Sequence, residues 1–183
     1  MKGKLIVVEG LDGSGKATQA KLIHEQLQKE GTSSKKITFP DYNEPSSSLV
    51  KMYLNSEFGN DPNDVNAYAA SSFFAVDRYA SYKKFWEKDY NSGKVIISDR
   101  YVTSNFLYQL PKVKREEWNQ FIEWSCDYEY NKLGLPKPDM IIYLDIPIDV
   151  SQSLMSKRYH GHEEKKDLHE SNMKYLKLCK DAA

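Results

Sequence analysis

Apolar residues gather along this chain in four short runs, and amphipathic stretches fill the spaces between them. Residues 5–8, 95–98 and 140–144 are continuous rather than alternating, as in strands buried on both faces of a parallel sheet. A fourth run, 36–39, is weaker and stops at Pro40. Helical spacing predicts α-helices over 16–29, 47–54, 65–90, 116–132 and 168–179. The first turns Ala20, Leu22, Ile23 and Leu27 to one side and is closed by Gly31. Strands alternating with helices predict an α/β fold. Its doubly wound parallel sheet carries helices on both faces and binds ligands beyond the carboxyl ends of the strands. The chain reads as a single domain over 1–183, with no internal repeat or linker.

The turn after the first strand carries the strongest chemical signal. Glu9-Gly10-Leu11-Asp12-Gly13-Ser14-Gly15-Lys16-Ala17-Thr18 joins a buried-type strand to an amphipathic helix. Glycines at 10, 13 and 15 let successive amides converge on one anion, and the helix N-terminus and Lys16 add positive charge. An ordinary glycine-rich turn would not also supply the lysine at that spacing, so the loop reads as a phosphate cradle, residues 10–18 being its ATP-side candidates. One residue departs from the pattern: Ala17 stands where a magnesium-binding hydroxyl is expected. Thr18 does not replace it, because one step along a helix turns about 100° around the axis. Magnesium would then depend on nucleotide phosphates, water and a carboxylate elsewhere.

Charge and cysteine content narrow the partners. Lys plus Arg number 26 against 26 Asp plus Glu, so no broad basic field favours polymeric nucleic acid. Two cysteines, Cys126 and Cys179, suit a reducing cytoplasm and read as structural. No apolar stretch reaches the roughly 20 residues of a membrane span, and no signal-peptide pattern precedes the first strand.

Three weaker constellations follow. Ser98-Asp99-Arg100-Tyr101 lies at the end of the third strand, where ligands bind in such sheets. Arg100 offers a planar fork for phosphate, and Asp99 either holds magnesium through water or orients the arginine. Phe74 and Arg78 share a face of the long helix, as a base platform beside a cation or simply as core beside surface. Asn105 and Tyr108 add an amide and a phenol shortly after Arg100. Residues 157–166 are charged, glycine-containing and almost devoid of groups to bury, which composition alone reads as a solvated loop. His160 and His162 are assigned no metal.

Taken together these positions resemble thymidylate kinase, a nucleoside monophosphate kinase of the phosphate-loop class. The resemblance rests on residues 9–16, Phe39-Pro40, residues 74–78, Asp99-Arg100-Tyr101, Ser104-Asn105 with Tyr108, and residues 138–145 as the fourth strand. It implies transfer of the ATP γ-phosphoryl to dTMP with Mg2+, in dTTP synthesis, by a cytoplasmic homodimer. It further implies that Lys16 and Arg100 act on the transferring group, that Asp99 belongs to a magnesium–water network, and that Asp12 approaches the acceptor. Phe39, Pro40 and Tyr42 would line the acceptor site, and Phe74 would stack on the base. Arg78 would reach a base carbonyl and the acceptor phosphate, Asn105 would lie near the base, and Tyr108 would crowd the 2′ side. Residues 157–166 become the expected lid, with Arg158 as its candidate catalytic cation. The family also has a final strand and helix, expected beyond residue 183. Many members of that family place a basic residue at or just after the Phe-Pro pair, where this chain has Asp41-Tyr42.

Two other readings stay open at this level. A deoxynucleoside kinase would need a carboxylate base near a 5′-hydroxyl, for which only Glu9 or Asp99 is placed. A non-catalytic nucleotide-binding module would fit the loss of the hydroxyl at Ala17.

Overall fold

A computed structural model describes residues 2–159, 167–170 and 172–183. Four parallel strands, β1 (Leu5–Glu9), β2 (Ser34–Thr38), β3 (Val95–Asp99) and β4 (Met140–Tyr143), form one sheet in the order β2-β3-β1-β4. The two central strands are the continuous apolar runs, and Leu5, Val7, Val8, Ile96 and Ile97 are fully buried. β2 lies at an edge and buries only Ser34 and Ile37, which explains its weaker pattern. β4 departs from the expectation of burial on both faces. Among the described residues it pairs on one side only, and Met140 and Ile141 remain 55% and 49% exposed.

The helices are α1 (Lys16–Lys29), α2 (Ser48–Leu54), α3 (Ala67–Ser81), α4 (Glu87–Asn91), α5 (Thr103–Gln109), α6 (Trp118–Cys126), α7 (Ile148–Tyr159) and α8 (Met173–Ala182). The single helix expected over 65–90 is interrupted. It starts after Asn66, whose side chain accepts the Ala69 amide at 2.9 Å, and passes through a π-type turn, Tyr82–Trp86, into α4. Tyr82, Trp86 and Tyr90 are spaced by four and all enter the core against β1 and β3. A regular α-helix would rotate that series by about 40° per step, and the widened turn offsets the drift. The helix expected over 116–132 likewise ends in a π-type turn, Asp127–Lys132.

The last helix begins later than its periodicity suggested. Asp167 accepts the amides of His169 and Glu170, each at 2.9 Å, closing a turn over 168–170 before Asn172 caps α8. Short acidic side chains compete in this way with helix propagation. The expected lid falls largely outside the described residues, as does the Arg158 side chain. His160 and His162 also lie outside them.

Strand pairing decides what meets at the carboxyl ends. Val8 lies opposite Asp99 on one side of β1, and Glu9 opposite Tyr143 on the other. The loop after β1 and the Asp99-Arg100 corner after β3 therefore leave the sheet side by side.

Candidate active site

The cleft above β1 and β3 has a volume of about 850 Å³, within the range of small-molecule sites. On one side of it lies the glycine-rich loop. Gly15 stands before α1 with φ of 87°, so the first amides of α1 have no partners within the helix. Gly13, with φ of 76°, is packed from above: a β-carbon there would meet the Ser151 carbonyl oxygen at 2.5 Å and Met155 Cγ at 2.8 Å, both on α7. The Ser14 hydroxyl is buried inside the loop and has no partner among the described residues. Ala17 and Thr18 are exposed and line the cleft.

Lys16 is 6% exposed and folds back on the loop, donating to the Leu11 carbonyl at 2.6 Å. Burial, and then the positive charge of Arg100, lower its ammonium to about 8. Arg100 adopts φ of 67°, unusual for a side chain larger than glycine and of the kind found where a site constrains the chain. Its guanidinium pairs with Asp12 Oδ1 and lies 5.4 Å from the centroid of the Tyr108 ring. The Tyr108 hydroxyl donates to Asp12 Oδ2 at 2.7 Å. Burial works to raise the Asp12 carboxyl, but Arg100, Lys16 and the Tyr108 hydroxyl bring it well below the usual carboxylate range. Asp12, Arg100 and Tyr108 thus form one interlocked group.

Glu9 is committed elsewhere. It is 1% exposed, and its carboxylate accepts Thr103 Oγ1 at 2.8 Å, Ser104 Oγ at 2.9 Å and the Gly10 amide at 3.1 Å. These bonds tie the start of α5 to the end of β1 and leave Glu9 poorly available as a base. Asp99 is 8% exposed, lines the cleft and acts on Lys16 as a nearby negative charge. Among the described residues, no group of three or more His, Cys, Asp or Glu side chains gathers to enclose a metal. A lone carboxylate beside phosphates suits magnesium, which keeps much of its water.

The opposite side of the cleft is built from α3, α5 and the segment after β2. Phe39 is buried, the Phe39–Pro40 peptide is cis, and Pro40, Asp41 and Tyr42 line the opening. Asp77, buried beside Arg78, holds this segment by accepting the Asp41 amide at 2.8 Å and Ser46 Oγ at 2.6 Å. Burial, then Asp77, raises the Asp41 carboxyl. Phe74 lines the cleft in edge contact with Tyr53 (centroids 6.4 Å, 84°). Arg78 and Asn105, both buried, line it as well and meet on Glu129.

Several residues in or behind the cleft carried no motif. Lys51 of α2 lines the cleft and donates to the Tyr42 carbonyl at 3.2 Å, putting a cation beside the unusual Asp41-Tyr42 pair. His169 stacks on Tyr108 (centroids 5.3 Å, 10°), and its Nε2 bonds to the Tyr53 hydroxyl at 2.8 Å. Burial lowers its imidazole to about 3, so the ring is neutral. Lys112 donates to the same Tyr53 oxygen at 2.7 Å, and burial lowers it to about 7. Glu129 did have a signal: it continues the buried stripe of Phe121 and Ser125, a charged residue at core spacing.

Comparison with known proteins identifies the family of the chain. The family model described as thymidylate kinase matches residues 8–183. A probable thymidylate kinase of Saccharolobus solfataricus is 35% identical over 97% of this chain and 84% of its own length. Thymidylate kinase of Caenorhabditis elegans is 33% identical over 82% of this chain and 66% of its own. Among solved structures, thymidylate kinase from Candida albicans superposes with a TM-score of 0.71 at 28% identity, covering 99% of this chain and 76% of that one. With a phosphate loop, a facing arginine corner and an aromatic pocket opposite, the chain belongs to the thymidylate kinase family, ATP- and Mg2+-dependent transferases that phosphorylate dTMP.

Proposed function

We propose that this cleft binds ATP and thymidylate end to end, with the sheet's two central strands aiming the transferring phosphoryl between Lys16 and Arg100. Residues 10–18 hold the donor phosphates through loop amides and the N-terminus of α1. Lys16 leaves the Leu11 carbonyl to bridge the phosphates, and Arg100 exchanges part of its pairing with Asp12 for phosphate oxygens. Asp99 is the carboxylate placed to hold magnesium through water, and the metal supplies charge neutralisation when bound. The acceptor lies along Phe39, Pro40 and Tyr42, its base against Phe74 and next to Arg78 and Asn105. Asp12 and the rigidly stacked Tyr108 face its sugar, favouring deoxyribose.

An acceptor phosphate oxygen attacks the γ-phosphorus as the bond to ADP breaks. That oxygen is largely ionised near neutral pH, so positioning and charge do the work and no strong base is needed. Arg78 is balanced by Glu129, which suits it to the uncharged base better than to the acceptor phosphate. Lys51 supplies the acceptor-side charge that Asp41-Tyr42 lacks. The observation that carries the reading is the pairing of Val8 with Asp99, which sets the phosphate loop and Arg100 at one cleft.

A homodimer is proposed through the face of α3 on which Tyr68, Val76 and Tyr79 are 39%, 47% and 40% exposed. Val76→Glu would shift the sedimentation coefficient towards monomer. A cytoplasmic setting fits two free cysteines. Among the described residues no helix is long and apolar enough to cross a membrane.

The deciding experiment is coupled ADP release with Mg-ATP and, separately, thymidylate, deoxyuridylate, cytidylate and thymidine. Turnover of thymidylate far above the rest is expected. Turnover of thymidine alone would move the acceptor to a hydroxyl, and nucleotide binding without turnover would make this a binding module.

A further inference from the structure

The base end of the cleft is wired to a carboxylate outside every motif. Glu129 is 1% exposed and accepts Arg78 Nε and Nη2 through its two oxygens, each at 2.6 Å. Its Oε1 also accepts Asn105 Nδ2 at 2.9 Å. A carboxylate held by a guanidinium acts only as an acceptor, so it dictates which way the Asn105 amide stands: NH2 towards Glu129, carbonyl away from it. It also occupies two of the three guanidinium nitrogens of Arg78 and leaves Nη1. Among the described residues, neither Arg78 Nη1 nor Asn105 Oδ1 has a hydrogen-bond partner, and both side chains line the cleft.

The cleft is therefore left with a donor-only nitrogen, Arg78 Nη1, beside the Asn105 carbonyl acceptor, both anchored on the same carboxylate. A 4-keto pyrimidine presents an acceptor, O4, next to its N3–H donor. A 4-amino pyrimidine presents a donor at N4, next to an N3 acceptor. The first matches both protein groups and the second opposes both. We propose that Glu129 is a positioning residue that sets the hydrogen-bond polarity of the base pocket, admitting 4-keto pyrimidine nucleotides and rejecting 4-amino ones. The proposal rests on the cleft being the acceptor-nucleotide site. Glu129 touches no substrate and acts through Asn105 and Arg78. Its buried charge also balances Arg78, so an uncharged base enters a pocket that is neutral overall. A polar site of this kind rejects the wrong analogue strongly, because its own buried groups would otherwise lose their partners.

The test is the ratio of kcat/KM for thymidylate to that for deoxycytidylate in wild type, Glu129→Gln and Asn105→Ala. A glutamine at 129 offers both a donor and an acceptor, so the Asn105 amide can stand either way round. The ratio is expected to fall about tenfold or more, with thymidylate KM rising more than kcat falls and deoxycytidylate gaining. An unchanged ratio, or parallel losses on both substrates, in a folded Glu129→Gln overturns the proposal. Should that variant not fold, Asn105→Ala decides. Removing the imposed carbonyl lifts the penalty on deoxycytidylate and collapses the ratio, whereas equal loss on both substrates overturns the idea. Wild-type turnover is the separate control. Absence of any thymidylate turnover would sink the active-site reading on which the role of Glu129 stands, independently of the variants.

Discussion

Lys16 illustrates how a buried charge is prepared for its ligand. With its amine lowered to about 8, the ligand-free protein holds it increasingly neutral above that pH, while phosphate oxygens demand the ammonium. ATP binding at pH 8.5 should take up a proton, with little uptake at pH 7 and none in Lys16→Met. Calorimetry in buffers of different ionisation enthalpy measures this directly. Lys16→Ala should lose most turnover with the fold retained. Arg100→Ala should lower kcat by about 10²–10³-fold, as expected when a donor to developing charge is removed. Near-wild-type kcat in either variant would rule out the mechanism. Tyr108→Phe keeps the ring stacked on His169 but takes one hydrogen bond from Asp12, a loss of about 1 kcal/mol. At this scale the motif-bearing residues were legible, because glycines, Lys16 and Arg100 announce phosphate chemistry by type and spacing. Lys51 and His169 were not, and Glu129 showed only its core spacing, since each gains its meaning from a partner remote in sequence.

Secondary-structure elements contribute through how they press on the loop. α7 sits directly over Gly13, so Gly13→Ala must displace Ser151 and Met155 and also forces alanine into a left-handed conformation. A stability loss of about 1–3 kcal/mol is expected, read as a lower Tm, together with a raised KM for ATP. A wild-type Tm and KM would show that α7 yields freely there. Glycine boundaries made α1 readable to the residue. The interruption of the long helix was hidden, because a regular α-helical reading does not allow for the π-type turn that brings Tyr82, Trp86 and Tyr90 to the sheet together. The late start of α8 had a local sign in Asp167, a residue that favours caps over helix interiors.

Over the whole molecule, buried polar groups link the cleft to the turn before α8 and to the segment after α5. Lys112, Tyr53, His169 and Tyr108 form a continuous path to Asp12. Lys112 is held at about 7 when folded, against 10.5 for a free lysine, so the unfolded chain binds more protons between those values. Its contribution therefore improves as pH rises from 7 towards 10 and is least favourable below 7. The Tm difference between Lys112→Met and wild type should favour the variant more at pH 6.5 than at pH 9.5. A pH-independent difference would show that Lys112 is charged throughout. Trp86, fully buried between the long helix and the sheet, should cost about 3–5 kcal/mol on truncation to Ala.

By itself the amino-acid sequence determined the parallel α/β architecture, the phosphate loop and the arginine corner, because these depend on local periodicity and on residues within a few positions of one another. Tertiary structure alone decided how the proposed base pocket is wired, where α3, α5 and the turn after α6 bring Arg78 and Asn105 onto the Glu129 carboxylate. Such a contact joins positions 24 and 51 residues apart, and only the folding of three helices around a common core sets its geometry.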